Sequence, residues 1–192
     1  MAEAAKRLMS VDDFLAFEGE PDTRYQLVRG VVTAMAPAQL IQGRMVARLA
    51  KLIGNQLRPP CEPVTEAGIR PDHRNDSFWV ADLAVTCRPL ERGQIHLRDP
   101  ILLIEVLSPS TEATDRILKL QDYRRMPGLG DVLLVSTTAV QIEHWRRAGD
   151  FWQVRELGPG TVLEIAEFGM LIALDELYAD LLLDAGEGGS AV

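Results

Sequence analysis

Apolar positions along this chain change period several times, and the changes lay out the elements. Residues 25–35, "YQLVRGVVTAM", carry two short apolar runs separated by Arg29-Gly30, which predicts a β-hairpin turning at that pair. Pro37 then breaks the pattern. Over residues 41–58, "IQGRMVARLAKLIGNQLR", the period becomes helical: Met45, Leu49, Leu52 and Ile53 share one face. Strands are predicted over 64–69 and 78–87, on either side of a polar turn at 71–77. A loop over 88–100 leads into the most apolar run, "ILLIEVL" at 101–107, which Ser108-Pro109-Ser110 closes. Residues 111–126, "TEATDRILKLQDYRRM", read as a helix ended by Pro127-Gly128. A buried strand follows over 131–137, a hairpin over 141–145 and 151–157 around Ala148-Gly149-Asp150, a strand over 161–165, and a helix over 174–183. At the other end, Ser10 and Asp13 have the spacing of a capping box that starts a short helix to about residue 17.

Strands with helices packed on them predict an α/β (α+β) domain: a mixed central sheet flanked by helices, with extra hairpins. The strand–helix–strand passage over 101–135 reads as one right-handed βαβ crossover. One domain over 10–184 is expected, between a flexible lead-in (1–9) and a disordered tail (185–192).

Against this pattern three charges stand out. Glu105 sits inside "ILLIEVL", where an unanswered carboxylate would cost several kcal/mol. Asp82 sits inside "FWVADLAVTC", and Lys119 lies on the helix that follows the Glu105 strand. If the two strands are neighbours, Asp82 and Glu105 project to one side of the sheet and Lys119 reaches back over them. Two carboxylates with no adjacent His or Cys favour a hard cation, Mg²⁺ or Mn²⁺. Such an ion activates water and stabilises a phosphoryl-transfer transition state. Each residue also has a plainer reading: Asp82 as a strand-end cap, Glu105 in an internal ion pair, Lys119 paired with Asp115 four residues before it.

Composition narrows the class. The chain has 192 residues, 47% hydrophobic and 25% charged, which suits one globular domain. Its net charge of −8 argues against coating nucleic acid by bulk charge, though not against a local basic surface. Arg44, Arg48, Lys51 and Arg58 recur at helical spacing on the polar side of the 41–58 helix. That stripe reads either as a solvated helix back or, for Arg44, Arg48 and Lys51, as a row of phosphate contacts. Cys61 and Cys87 form no CxxC pattern and suggest no disulfide framework; with three scattered histidines they argue against zinc. No apolar run approaches the ~20 residues of a membrane span. The start "MAEAAKRLMS" has no signal-peptide core. A cytoplasmic protein with no membrane partner is expected.

The ordered blocks "YQLVRGVV", "VADLAV", "LLIEVLSPST" and "DRILKLQDYRRM" together resemble the Uma-two family of restriction-endonuclease-like proteins, over about residues 10–183. Members show a Tyr-Glu-Leu-Ile-Asp-Gly-Glu hairpin, a Pro-Asp strand, a Glu-Val-Leu-Ser-Pro-Ser strand end and an Asp-x-x-x-Lys-x-x-x-Tyr helix. Here these fall on residues 25–31, Ala81-Asp82, residues 105–110, and Asp115, Lys119 and Tyr123. The resemblance implies a PD-(D/E)XK nuclease fold and a metal-dependent endonuclease acting on nucleic acid, DNA first. It implies Asp82 and Glu105 as metal ligands, the Val106 carbonyl as a third, and a homodimer. The lysine that usually stands two residues after the acid is replaced by Leu107, and Lys119 on the next helix takes its role. Pro71-Asp72 opens a turn and is a decoy. Gln26 stands where the family hairpin has a catalytic glutamate, and Arg29 and Val31 replace two further acids. A neutral amide brings no charge to a metal. The alternative is therefore a catalytically weakened homologue that binds nucleic acid or a protein.

Overall fold

A computed structural model describes residues 8–109 and 111–181. Most of the expected lead-in and all of the expected tail lie outside them. The helix α1 (Val11–Leu15) opens on the expected capping box: the Ser10 hydroxyl accepts from the Asp13 amide at 3.1 Å, and the Asp13 carboxylate accepts from the Ser10 amide at 3.0 Å. Strands β1 (Tyr25–Val28) and β2 (Val31–Ala34) form the first hairpin, with Val28 opposite Val31. The two turn residues, Arg29 (φ +50°) and Gly30 (φ +82°), are both left-handed, as a tight hairpin requires. Helix α2 spans Leu40–Gly54.

The centre of the molecule is a six-stranded sheet made of β3 (Glu62–Ile69), β4 (Trp79–Thr86), β5 (Leu102–Leu107), β6 (Asp131–Ser136), β7 (Ile142–Ala148) and β8 (Phe151–Leu157), in that order. Only β5 and β6 run parallel. The helical connection between them begins as α3 (Glu112–Thr114), widens into a π turn over Asp115–Lys119, and ends as α4 (Leu120–Tyr123). A small β9 (Val162–Ile165) and β10 (Met170–Ala173) ribbon and helix α5 (Leu174–Tyr178) complete the described residues. The sequence pattern did not predict β10, because its four residues adjoin the helix and carry too short a signal to separate from it.

The strand β5 is buried along its whole length, which is why it reads as an unbroken apolar run. Its residues alternate between two cores. Leu102, Ile104 and Val106 join Met45, Leu49 and Ile53 of α2 on one face, with β9, β10 and α5 closing that side. Leu103 and Leu107 join Leu120, Tyr123 and Leu129 on the other. Glu105, between Leu103 and Leu107, points to this second face, under α4.

Cys61 and Cys87 are joined by a disulfide, contrary to the expectation from sequence. The register explains it. Glu62 pairs with Thr86 in the β3–β4 ladder, so Cys61 and Cys87 are the next opposed positions beyond it. Twenty-six residues separate them in sequence, and only the register brings them together. Among the described residues no helix is long and apolar enough to cross a membrane.

Candidate active site

Asp82 and Glu105 lie on neighbouring antiparallel strands. The β4–β5 register pairs Leu83 with Ile104, so the next opposed positions are Asp82 and Glu105. The ladder stops there. Instead of a backbone bond, the Asp82 carboxylate accepts the Val106 amide at 2.7 Å. The strands part at this point, and the two carboxylates line a cavity of about 230 Å³ whose wall includes Gln26, Gln42, Asp115 and Lys119. The first hairpin closes over it. Mutual backbone bonds of 2.9 Å between Leu27 and Phe78 dock β1 just ahead of β4 and bring Gln26 to the cavity.

Lys119 reaches the site from the end of the π turn. Its ammonium donates to Glu105 Oε2 and to the Val80 carbonyl, both at 2.9 Å, and lies 3.0 Å from Asp115 Oδ1. The second oxygen of Glu105 accepts from the Tyr123 hydroxyl at 2.6 Å. Asp115, Lys119 and Tyr123 recur every four residues, so one side of the helix carries all three to the site. A π turn inside a helix is most often found at functional sites, and here it begins at Asp115 and ends at Lys119.

The electrostatics follow from burial and crowding. Burial pushes the Glu105 carboxyl up to about 8; Asp115 and Asp82 add to the rise, and Lys119 and Tyr123 oppose it. Burial also raises Asp82, against the Val106 amide and Lys119. For Lys119 burial acts downward, but Glu105 and Asp115 outweigh it and hold the ammonium above its ordinary value. Three carboxyl groups thus crowd one buried cation, and Glu105 relieves the crowding by holding a proton.

That imbalance is the first observation that fits an additional cation. The second is a pair of buried oxygens, Gln26 Oε1 and Asp115 Oδ1, that accept no hydrogen bond although both residues line the cavity. Lys119 stands near the latter but outside hydrogen-bonding geometry. All available donors are oxygens, the set a hard dication prefers. No three His, Cys, Asp or Glu side chains among the described residues form a ready metal cluster, so neutral oxygens would have to complete the shell.

The remaining predicted residues divide. The Val106 carbonyl accepts from Gln42 Nε2 at 3.0 Å, which leaves one lone pair facing elsewhere. Arg44 and Lys51 are exposed on α2. Arg48 is not free in the same way: its guanidinium donates to the carbonyls of Leu177, at 3.1 Å, and Ala179 beyond α5. Asp72 is exposed in its turn, away from Asp82. Arg29 contacts Asp122 and Gln121, at 3.3 Å each, and does not line the cavity.

Sequence reasoning gave no role to Gln42 or Tyr123. A signal existed for both: Gln42 falls on the buried face of α2 with Met45 and Leu49, and Tyr123 repeats the spacing of Lys119.

Comparison with known proteins fits this geometry. The family model Uma2, described as "Putative restriction endonuclease", matches residues 11–175. The chain belongs to the Uma2 family. An uncharacterized Synechocystis protein, slr1290, is 30% identical over 176 residues, covering 90% of this chain and 93% of its own. A second from the same organism, sll1609, is 23% identical over 162 residues, covering 82% and 92%. A crystal structure of a protein from Anabaena variabilis, described as "a putative nuclease belonging to DUF820", superposes with a TM-score of 0.70 at 19% identity. The match covers 91% of this chain and 99% of that one. The Uma2 chain therefore has the restriction-endonuclease-like fold, with its buried Asp–Glu–Lys cluster where β4 and β5 part.

Proposed function

We propose that this protein is a metal-dependent nuclease that hydrolyses phosphodiester bonds of nucleic acid, with Mg²⁺ or Mn²⁺ held by Asp82, Glu105 and the Val106 carbonyl. The observation that carries the reading is the excess of carboxylates over cations in one cavity, on a fold shared with nucleases. Asp115 and Gln26 supply the further oxygens. When bound, the ion would polarise the phosphate and lower the pKa of an attacking water.

The chain's own groups set the frame. Asp82 is fixed by the Val106 amide, and Gln42 fixes the Val106 carbonyl, so the backbone of this one residue is held through both its N–H and its C=O. Lys119 and Tyr123 hold the two oxygens of Glu105. Lys119 acts first as a positioning residue, since three oxygens already surround its ammonium. Arg44 and Lys51 would contact backbone phosphates, a reading their exposure on α2 supports, and DNA is the first substrate to try. A cytoplasmic location and pairing of two copies belong to the same proposal.

The neutral Gln26 favours a second reading, a weakened homologue that binds without cutting. One assay separates them: cleavage of labelled DNA and RNA, single- and double-stranded, with Mg²⁺ or Mn²⁺, beside calorimetric Mn²⁺ titration. The nuclease reading expects cutting and ion binding, both lost in Asp82→Asn. Binding of nucleic acid without cutting selects the second. Absence of Mn²⁺ binding in the unaltered protein, matched by Asp82→Ala, removes the metal site.

A further inference from the structure

Two cations line the cavity, and they are not equivalent. Lys119 is buried and ringed by oxygens. Arg24, immediately before β1, has 44% of its side chain exposed and pairs with Glu66. Both partners line the same cavity as Asp82 and Glu105.

Glu66 is unusual in its own right. The β3–β4 register places Thr65 opposite Leu83 and Ala67 opposite Ala81, which leaves Glu66 opposite Asp82, and that pair is missing from the ladder. Its φ is +51°, a left-handed conformation that is strained for a residue with a Cβ. Such strain persists where neighbouring structure enforces it, commonly at functional sites. The result is a row of three acids across three strands, Glu66, Asp82 and Glu105, with Glu66 the outermost and 60% exposed. Glu66 also adds to the rise of the Asp82 carboxyl.

An anionic phosphodiester approaching this cavity meets four carboxylates: Glu66, Asp82, Glu105 and Asp115. The apolar rim from Ala34 to Ala38 provides no countercharge. We propose that Arg24 is the residue that grips a substrate phosphate at the cavity mouth, and that Glu66 holds its guanidinium there until the phosphate takes its place. This rests on the nuclease reading above, whose substrate it supplies with a contact. The exchange is favoured by magnitude. A half-exposed ion pair is weak, because water screens it and both side chains lose freedom in holding it. A planar guanidinium on a phosphate makes two parallel charge-assisted bonds.

The test uses binding rather than turnover. Fluorescein-labelled oligonucleotides, single- and double-stranded, DNA and RNA, are titrated by anisotropy in EDTA over a range of salt, with melting temperature recorded for each variant. Arg24→Gln, which keeps a polar side chain without the charge, and Arg24→Ala weaken binding several-fold and lower the salt slope by roughly 0.7–0.9. Glu66→Gln does the opposite and tightens binding, because it frees the guanidinium. Opposite signs from the two ends of one ion pair are not expected of a merely structural contact. Binding unchanged in both Arg24 variants, or weakened by Glu66→Gln, overturns the proposal while leaving the nuclease reading intact. If the unaltered protein binds none of the oligonucleotides, this proposal falls, and the nuclease reading is judged separately by the cleavage assay with Mg²⁺ or Mn²⁺.

Discussion

Glu105 is a fully buried acid in the wall of the cavity. Its apolar neighbours hold β5 in the centre of the sheet, and alternation along the strand delivers the carboxyl to the face that α4 covers. Burial then pushes it up to about 8. Between its ordinary value near 4.5 and this raised one, the folded protein holds a proton that the unfolded chain has lost. Unfolding is therefore favoured as pH rises, by up to about 1.4 kcal/mol per pH unit from this group, and the dependence levels off above about 8. Urea denaturation in EDTA at pH 5.5, 6.5 and 7.5 checks this. Stability should fall across the series, and the fall should flatten in Glu105→Gln, which cannot ionise. A slope equal in both proteins would place the titrating group elsewhere.

The elements are held in register around the site by a second buried acid, Asp122 on α4. Its Oδ2 accepts from the Trp79 indole at 2.9 Å, and its Oδ1 lies 3.3 Å from donors of Arg29, His73 and Arg74. One fully buried carboxylate thus ties α4 to the first hairpin, to the 71–77 turn and to β4. Arg29, which departs from the family's acidic hairpin, acts here as a strut. Asp122→Ala should cost about 1–3 kcal/mol, since it leaves the buried Trp79 indole without its acceptor and takes one acceptor each from Arg29 and Arg74, which keep Gln121 and Asp76. Arg29→Ala removes one arm of the knot and should cost about 1 kcal/mol. Denaturant midpoints measure both, and equal losses would show that the arms act as a unit. This knot was not legible in the sequence. Arg29, Asp122 and the 71–77 turn are up to 93 residues apart, and no periodic pattern links them. The strands that carry Asp82 and Glu105 were legible, because a charge within a β-branched or leucine run breaks a strong local rule. The Cys61–Cys87 bond and the strained Glu66 were not, since both depend on the β3–β4 register. Arg48 looked like its neighbours on α2 until the fold placed the end of α5 beside it.

At the scale of the whole molecule, the site concentrates like charge in a place where the fold gains nothing from it. Asp82, Glu105 and Asp115 crowd one ammonium, and two buried oxygens accept no hydrogen bond. Such an arrangement lowers the stability of the protein, and at the proposed metal site a bound dication would relieve it and so couple ion binding to folding. A ligand that binds only the folded state at a hundred times its dissociation constant adds about 2.7 kcal/mol. For a domain of this length each kcal/mol moves the melting temperature by roughly 2–4 °C. Saturating Mn²⁺ should therefore raise the melting temperature by about 5–10 °C over protein in EDTA. Asp82→Asn should remove most of that gain, because it deletes a ligand charge while keeping the acceptor for the Val106 amide. Its melting temperature in EDTA should equal or exceed that of the unaltered protein, since one of the crowded carboxylates is gone. A destabilised Asp82→Asn in EDTA would mean that the carboxylate serves the fold through the Val106 amide more than it burdens it through its charge.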